Sequence, residues 1–266
     1  MKTSVIALLT DFGEEDFFVG SLKGVIATIN PSVPMVDITH HVPSFDVLAG
    51  GFILYAAYRY YPSGSIFLAI VDPGVGTARK ILLVETENYM FIGPDNGVLS
   101  LALEAESTKT LIDVKNAKYF LPVPSSTFEG RDKMAPVAAW LSKGIAPSEF
   151  GPRVSDYVRV EVQKSQVGKE EILGQILYVD KFGNCITNIP AEEVRRIEDE
   201  TREKRLVCQL GNKDIARFEQ SYSFVSQDEL FVLPGSLGLI EIAVREGSAQ
   251  ERLAAHPGDR VRIFLE

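Results

Sequence analysis

The sequence predicts an α/β protein: an N-terminal domain built on a mostly parallel sheet, then a smaller C-terminal antiparallel β domain. Two observations carry that expectation. In the first half, short continuous apolar runs alternate with segments of helical periodicity, as strands buried on both faces require. From "GPRVSDYVRVEVQKSQVGKEE" onward, short strands follow one another with turn signals between them. The boundary falls around residues 152 to 165. It divides the chain into an N-terminal α/β domain, 1–155, and a β-rich domain, 156–266, with no Gly/Ser linker between them.

Taken in order, "SVIALLT" reads as a buried strand, and "DFFVGSLKGVIATIN" has helical spacing up to the "NPS" stop. "VPMVDIT" is a second strand, "DVLAGGFILYAAYRYY" a helix ended by Pro62, and "SIFLAIVD" a third strand. "KILLVETENYMFIGPDNG" contains two strands with a polar turn at "TEN". "NGVLSLALEAE" and "RDKMAPVAAWLSKG" complete the helical set. In the second half, "YVRVEVQ", "EILGQILYVD", "RLVCQL", "SYSFVSQ", "ELFVLPG", "GLIEIAV" and "DRVRIFL" read as strands. "PAEEVRRIEDE" and "SAQERLAAH" read as helices.

Composition narrows the function. A net charge of -9 argues against a nucleic-acid binder, which would show a basic face, and is compatible with a cationic ligand. Cys185 and Cys208 stand far apart, so neither a disulfide framework nor a zinc cluster is expected. With only His40, His41 and His256, a histidine-rich metal site is not expected either. The apolar run ending at Asp11 is too short for a signal sequence or a membrane span, so the expected location is the cytoplasm.

Candidate chemistry gathers at strand ends, where open α/β sheets bind ligands. Asp11 follows the first strand with Asp16 close behind, Asp72 follows the third, and Asp95 and Asn96 follow "MFIGP". Each alone could be a turn former or cap; several on one edge suggest a cleft. "DPGVGTAR" fits neither a dinucleotide fingerprint, since a strand follows it, nor a P-loop. Arg79, seven residues after Asp72, is either a surface residue or folds back across this tight loop onto a carboxylate. In "SSTFEGRD", Glu129 is either a first-turn acid at a helix N-terminus or a charged group at a pocket mouth. In "YVDKFGNCITNIP", Asp180 and Asn184 either satisfy their own turn or hold an ammonium and a polar ring edge. Ser236 lies in the Gly-flanked turn of "LPGSLGLIEIAV".

The ordered set "LTDFG", "DFFVGSLKG", "VDITH", "VDPGVGTAR", "GPDNG", "STFEGRD", "FGN" with "TNI", and "GSLGLIEIAV" runs across nearly the whole chain. It resembles the S-adenosyl-L-methionine (SAM) hydroxide adenosyltransferases, relatives of the SAM-dependent fluorinase and chlorinase. The resemblance implies hydrolysis of SAM to adenosine and L-methionine without a cofactor, in a homotrimer with active sites at subunit interfaces. By position it implies that Asp11 binds the ribose hydroxyls, Asp16 and Asp180 the methionine amino group, and that Ser236 lies near the methionine end. Asn184 would recognise adenine with backbone around Val244, Phe45 would line the ribose–sulfonium region, and Thr127 would lie near the reacting centre. Asp72 and Arg79 match two members of the family's water-handling set. The third is a His in "TFHGRD", and here it is Glu129. Other readings of the same acids are a halide adenosyltransferase, a metal-dependent phosphohydrolase, and a SAM- or adenosine-binding module without chemistry.

Overall fold

The structure, a computed structural model, describes residues 5–200 and 204–266. The chain divides into two compact units, Met1–Val160 and Glu161–Glu266.

Unit 1 contains β1 (Ile6–Thr10), α1 (Phe18–Ile29), β2 (Met35–Thr39), α2 (Val47–Ala57), β3 (Ile66–Ile70), β4 (Ile81–Thr86), β5 (Met90–Pro94), α3 (Ser100–Glu104), β6 (Thr108–Asp113) and α4 (Ala135–Ser142). Among the described residues these strands form one sheet in the order β2-β1-β3-β5-β4-β6. The first four run parallel; β4 lies antiparallel to both β5 and β6. Every residue of β1, β3 and β5 is buried, which explains their unbroken apolar runs. On one face, Ile6, Leu8, Leu68 and Ile70 pack with Leu22 and Ile26 of α1 and Val137 and Ala138 of α4. The alternate residues point the other way. Phe67 and Phe91 stack at 5.1 Å, and Tyr58, just past α2, meets both edge-on. The sheet is therefore covered on both faces, as the sequence predicts. Helix α2 begins where the Asp46 carboxylate accepts the Ala49 amide at 2.9 Å.

Unit 2 contains β7 (Gln166–Val167), β8 (Glu171–Val179), β9 (Cys185–Pro190), α5 (Ala191–Glu200), β10 (Leu206–Leu210), β11 (Lys213–Ile215), β12 (Leu230–Pro234), β13 (Leu239–Val244), α6 (Ala249–Leu253) and β14 (Arg260–Leu265). Among the described residues the order is β11-β10-β14-β8-β9-β13-β12, with β7 also on β8, and all pairs are antiparallel. Strand β8 changes partner midway: Glu171–Gln175 pair with β14, and Ile176–Val179 pair with β9. The resulting barrel-like sheet encloses Ile172, Ile176, Ile189, Val232, Ile242 and Ile263.

Three local expectations change. "YVRVEVQ" is not a strand, although its valines alternate. The Asp95 carboxylate takes the Val158 amide at 2.7 Å and the Ser100 hydroxyl takes the Val160 amide at 3.1 Å, so side chains occupy its donors in place of a neighbouring strand. "SYSFVSQ" forms a 3₁₀ turn at Tyr222–Phe224. Conversely, "TKTLID" supplies the edge strand β6, whose polar first half carries no apolar pattern to announce it.

Candidate active site

The loop after β3 turns tightly. The Val75 amide donates to the Asp72 carbonyl at 3.2 Å, and the Thr77 hydroxyl donates to the Gly74 carbonyl at 2.7 Å. This brings Arg79 back onto Asp72. Its Nε donates to Asp72 Oδ1 at 2.7 Å and its Nη2 to Asp72 Oδ2, a two-pronged match of guanidinium to carboxylate. The same Nη2 donates to Glu129 Oε2 at 2.5 Å, and Lys133 Nζ donates to Glu129 Oε1. Side-chain exposures of 9% for Arg79, 6% for Asp72 and 8% for Glu129 remove these pairs from the weak, solvent-screened class. Two carboxylates and two cations balance. Burial pushes the Glu129 carboxyl upward, but the Lys133 hydrogen bond and the charges of Arg79 and Lys133 outweigh it and hold the group below its ordinary range.

Glu129 stands immediately before a π-helical turn, Gly130–Met134, which feeds into α4. Its side chain makes no hydrogen bond to the helix start, so both oxygens serve the cations and neither caps the helix. The turn is held from beneath. Asp132, fully buried, pairs with Arg131 Nε at 2.5 Å and accepts the Ser125 amide at 2.6 Å. Thr127 is exposed on the preceding loop, its amide donating to Ser125 Oγ at 3.1 Å.

Asp11 belongs to the same edge. Phe12 beside it packs edge-on against Phe128, the neighbour of Glu129, with ring centres 5.7 Å apart. Asp11 Oδ2 accepts the Phe45 amide at 2.9 Å, and Phe45 has φ +68° with its ring largely exposed. A left-handed aromatic residue is strained, and the Asp11 bond helps hold it there. Asp16 is exposed on the segment leading into α1.

Unit 2 carries an open cavity of about 990 Å³, and Asp180, Asn184, Ser236 and Val244 all line it. Asp180 organises the turn after β8. Its Oδ1 accepts the Phe182 and Asn184 amides at 2.8 and 2.9 Å, and its Oδ2 accepts the Asn184 side-chain amide at 2.9 Å. Gly183 takes φ +81°, and a Cβ there would sit 2.1 Å from Ser248 Oγ, so this turn requires glycine.

Two charged side chains escaped the sequence reading. Lys133 follows Glu129 by four residues, a spacing that does signal a pair, but beside a helix start it looks like a solvated cation. Glu241 lines the cavity with Asp180; its only signal is a lone acid inside "GLIEIAV". Among the described residues, no three His, Cys, Asp or Glu side chains gather as metal ligands would, and no helix is long and apolar enough to cross a membrane.

Residues 6–151 match the SAM hydroxide adenosyltransferase N-terminal domain, and residues 174–262 match the C-terminal domain of the same name. The (R)-S-adenosyl-L-methionine hydrolase of Salinispora tropica is 34% identical over 98% of both chains, and that of Thermus thermophilus is 32% identical over 97% of this chain and 99% of its own. A fluorinase from an Actinoplanes species is 27% identical over 72% of this chain and 74% of its own. The crystal structure of an uncharacterized conserved protein from Thermotoga maritima superposes with a TM-score of 0.91 at 36% identity, covering 98% of this chain and 100% of that one. The chain belongs to the SAM hydroxide adenosyltransferase family.

Proposed function

We propose that the protein hydrolyses SAM to adenosine and L-methionine. The observation that carries this reading is the buried Asp72–Arg79–Glu129 cluster at the sheet edge. Support also comes from relatives named (R)-S-adenosyl-L-methionine hydrolase, which align over nearly the full chain, while three fluorinases align over 70–74% of it.

The water oxygen attacks the ribose C5′ as the C5′–S bond breaks. The bonding pair goes to sulfur, so the sulfonium leaves as a neutral thioether and needs no acid. What remains for the protein is to align water behind C5′ and receive its proton. Asp72 is suited to this, because each carboxylate oxygen keeps a lone pair beyond the one that Arg79 occupies. Glu129 fixes the far side of Arg79 and completes the polar wall around the water. In this reading Asp11 binds the ribose hydroxyls, Phe45 and Thr127 flank the reacting centre, and Asn184 and the backbone near Val244 hold adenine. Asp16, Asp180 and Ser236 surround the methionine end. A carboxylate such as Asp72 beside the nucleophile position repels halide, which favours water.

The test is incubation with SAM, chloride or fluoride, and EDTA. Adenosine and methionine should form in equal amounts, undiminished by the chelator. A 5′-halogenated nucleoside would overturn the hydrolase in favour of a halide enzyme. Loss of activity in EDTA would favour the metal-dependent reading, and adenosine binding without turnover the binding module.

We further propose a cytoplasmic homotrimer in which the unit 1 cluster of one subunit and the unit 2 cavity of a neighbour serve one substrate. Exposed Phe17, Phe45, Phe182 and Phe224 are apolar surface that such an assembly would cover. Specific activity should therefore fall on dilution as the trimer, followed by sedimentation, dissociates. A fully active monomer would overturn the shared site.

A further inference from the structure

Two buried polar side chains stand directly behind Asp11, and the proposed chemistry does not use them: Thr10, the last residue of β1, and His40, the first after β2. Asp37 and His40 are three residues apart, a spacing that strict alternation sends to opposite faces. The pairing of β2 with β1 slips between Leu8, opposite Asp37, and Leu9, opposite Thr39. Ile38 is thus an extra residue, and the Asp37 and His40 side chains meet. Asp37 Oδ1 lies 3.1 Å from His40 Nε2, off the line of a full hydrogen bond, and Lys23 Nζ donates to Asp37 Oδ2 at 2.6 Å. Across the ring, His40 Nδ1 lies 2.8 Å from Thr10 Oγ1. That hydroxyl oxygen also accepts the Phe12 amide at 3.2 Å, closing a turn around Asp11. With the Phe12 proton coming in, the hydroxyl's own proton goes to Nδ1, and the ring carries its proton on Nε2 toward Asp37. The donors then all point one way, from the Phe12 amide to a carboxylate. The backbone repeats the lacing: the Gly13 amide donates to the His40 carbonyl at 2.8 Å, and the Phe45 amide to Asp11 Oδ2 at 2.9 Å. With its side chain 1% exposed, His40 acts on a substrate through Thr10 rather than by touch.

We propose that His40 is a positioning residue for substrate recognition: anchored on Asp37, it fixes the Thr10 hydroxyl and thereby aims the Asp11 carboxylate at the ribose diol. The assignment rests on reading Asp11 as the ribose-binding acid. A carboxylate that must meet two neighbouring hydroxyls at once has little angular latitude, so a loosened turn costs it both contacts.

The experiment measures, by calorimetry, the binding of adenosine and of 2′,3′-dideoxyadenosine to the parent, His40→Leu, His40→Asn, Thr10→Val and Asp11→Ala. The parent should prefer adenosine by about tenfold to a hundredfold, the worth of hydrogen bonds to a charged group. His40→Leu and Thr10→Val cut the link from its two sides. In both, adenosine should weaken while the dideoxynucleoside binds as it does to the parent, so the preference falls toward that of Asp11→Ala. His40→Asn puts a polar atom where Nδ1 was and should keep most of the preference. A histidine that only fills the core would weaken both nucleosides alike when replaced. The proposal is overturned if either folded variant, His40→Leu or Thr10→Val, keeps the parent's preference. If His40→Leu does not fold, Thr10→Val alone decides, since it removes one hydroxyl and keeps the shape. A parent that binds both nucleosides equally, or neither, overturns the ribose role of Asp11 first, and this assignment goes with it.

Discussion

Replacing Asp72 with Asn should lower kcat for adenosine formation by about 10²–10⁴-fold, the usual worth of a positioned proton acceptor, with KM for SAM nearly unchanged. The amide has the same shape but no charge. It also turns one NH₂ toward the Arg79 guanidinium, where two acceptors now sit, so orientation suffers with basicity. Glu129→Gln should cost less, roughly tenfold in kcat, the order of one charged hydrogen bond. Glu129 keeps its side chain on Arg79 and Lys133 and supports the acceptor from outside. A fall in kcat with steady KM identifies interactions made mainly in the transition state. Glu129→His, which restores the residue usual in the family, should retain or raise activity. Equal losses at Asp72 and Glu129 would mean the two share the proton-accepting role. No loss at Asp72 would move the chemistry elsewhere.

Arg79→Met should give the largest effect on stability, about 3 kcal/mol at pH 7, as expected when one partner of a buried pair is removed and opposed charge is left behind. Asp72 and Glu129 would then be left with Lys133, on Glu129, as the one cation of the cluster. The pH dependence follows from the direction of the Glu129 shift. Its folded-state pKa lies below the ordinary 4.5, so its pairing stabilises the fold above that value and is lost as pH falls through the depressed one. The parent therefore loses this contribution in acid, while the variant never has Arg79's share of it. The gap between them should hold from pH 7 to about pH 5 and shrink as pH falls below 4.5 in urea melts. A deficit that stays constant with pH would show that Arg79 acts by packing alone.

Much of this was legible in the chain itself, for reasons that differ by residue. The central strands announce themselves because burial on both faces forces unbroken apolar runs. Asp72 and Arg79 are readable because Pro73, Gly74 and Gly76 between them can only make a short loop, which limits where Arg79 can reach. Glu241 was not readable, since its place on the cavity wall depends on how β13 pairs with β9 and β12. "YVRVEVQ" misleads for the same reason: alternation predicts a strand, but Asp95 and Ser100, distant in sequence, take its amides. The edge strand β6 went unseen because pairing with β4, rather than its own polar residues, makes it a strand.

The placement of Lys133 four residues after Glu129, on a single turn of chain, also bears on how this sequence can drift. Losing Lys133 alone leaves a buried anion short of a counter-ion, and losing Glu129 alone leaves Lys133 without its partner and Arg79 with one carboxylate in place of two. Either single step costs more than both together. A lineage would then tend to hold the acidic–basic pair or a neutral pair at these two positions and pass quickly through the mixed states. The two sites should change as a unit, a signature to be sought in reconstructed ancestors rather than in any one present-day enzyme.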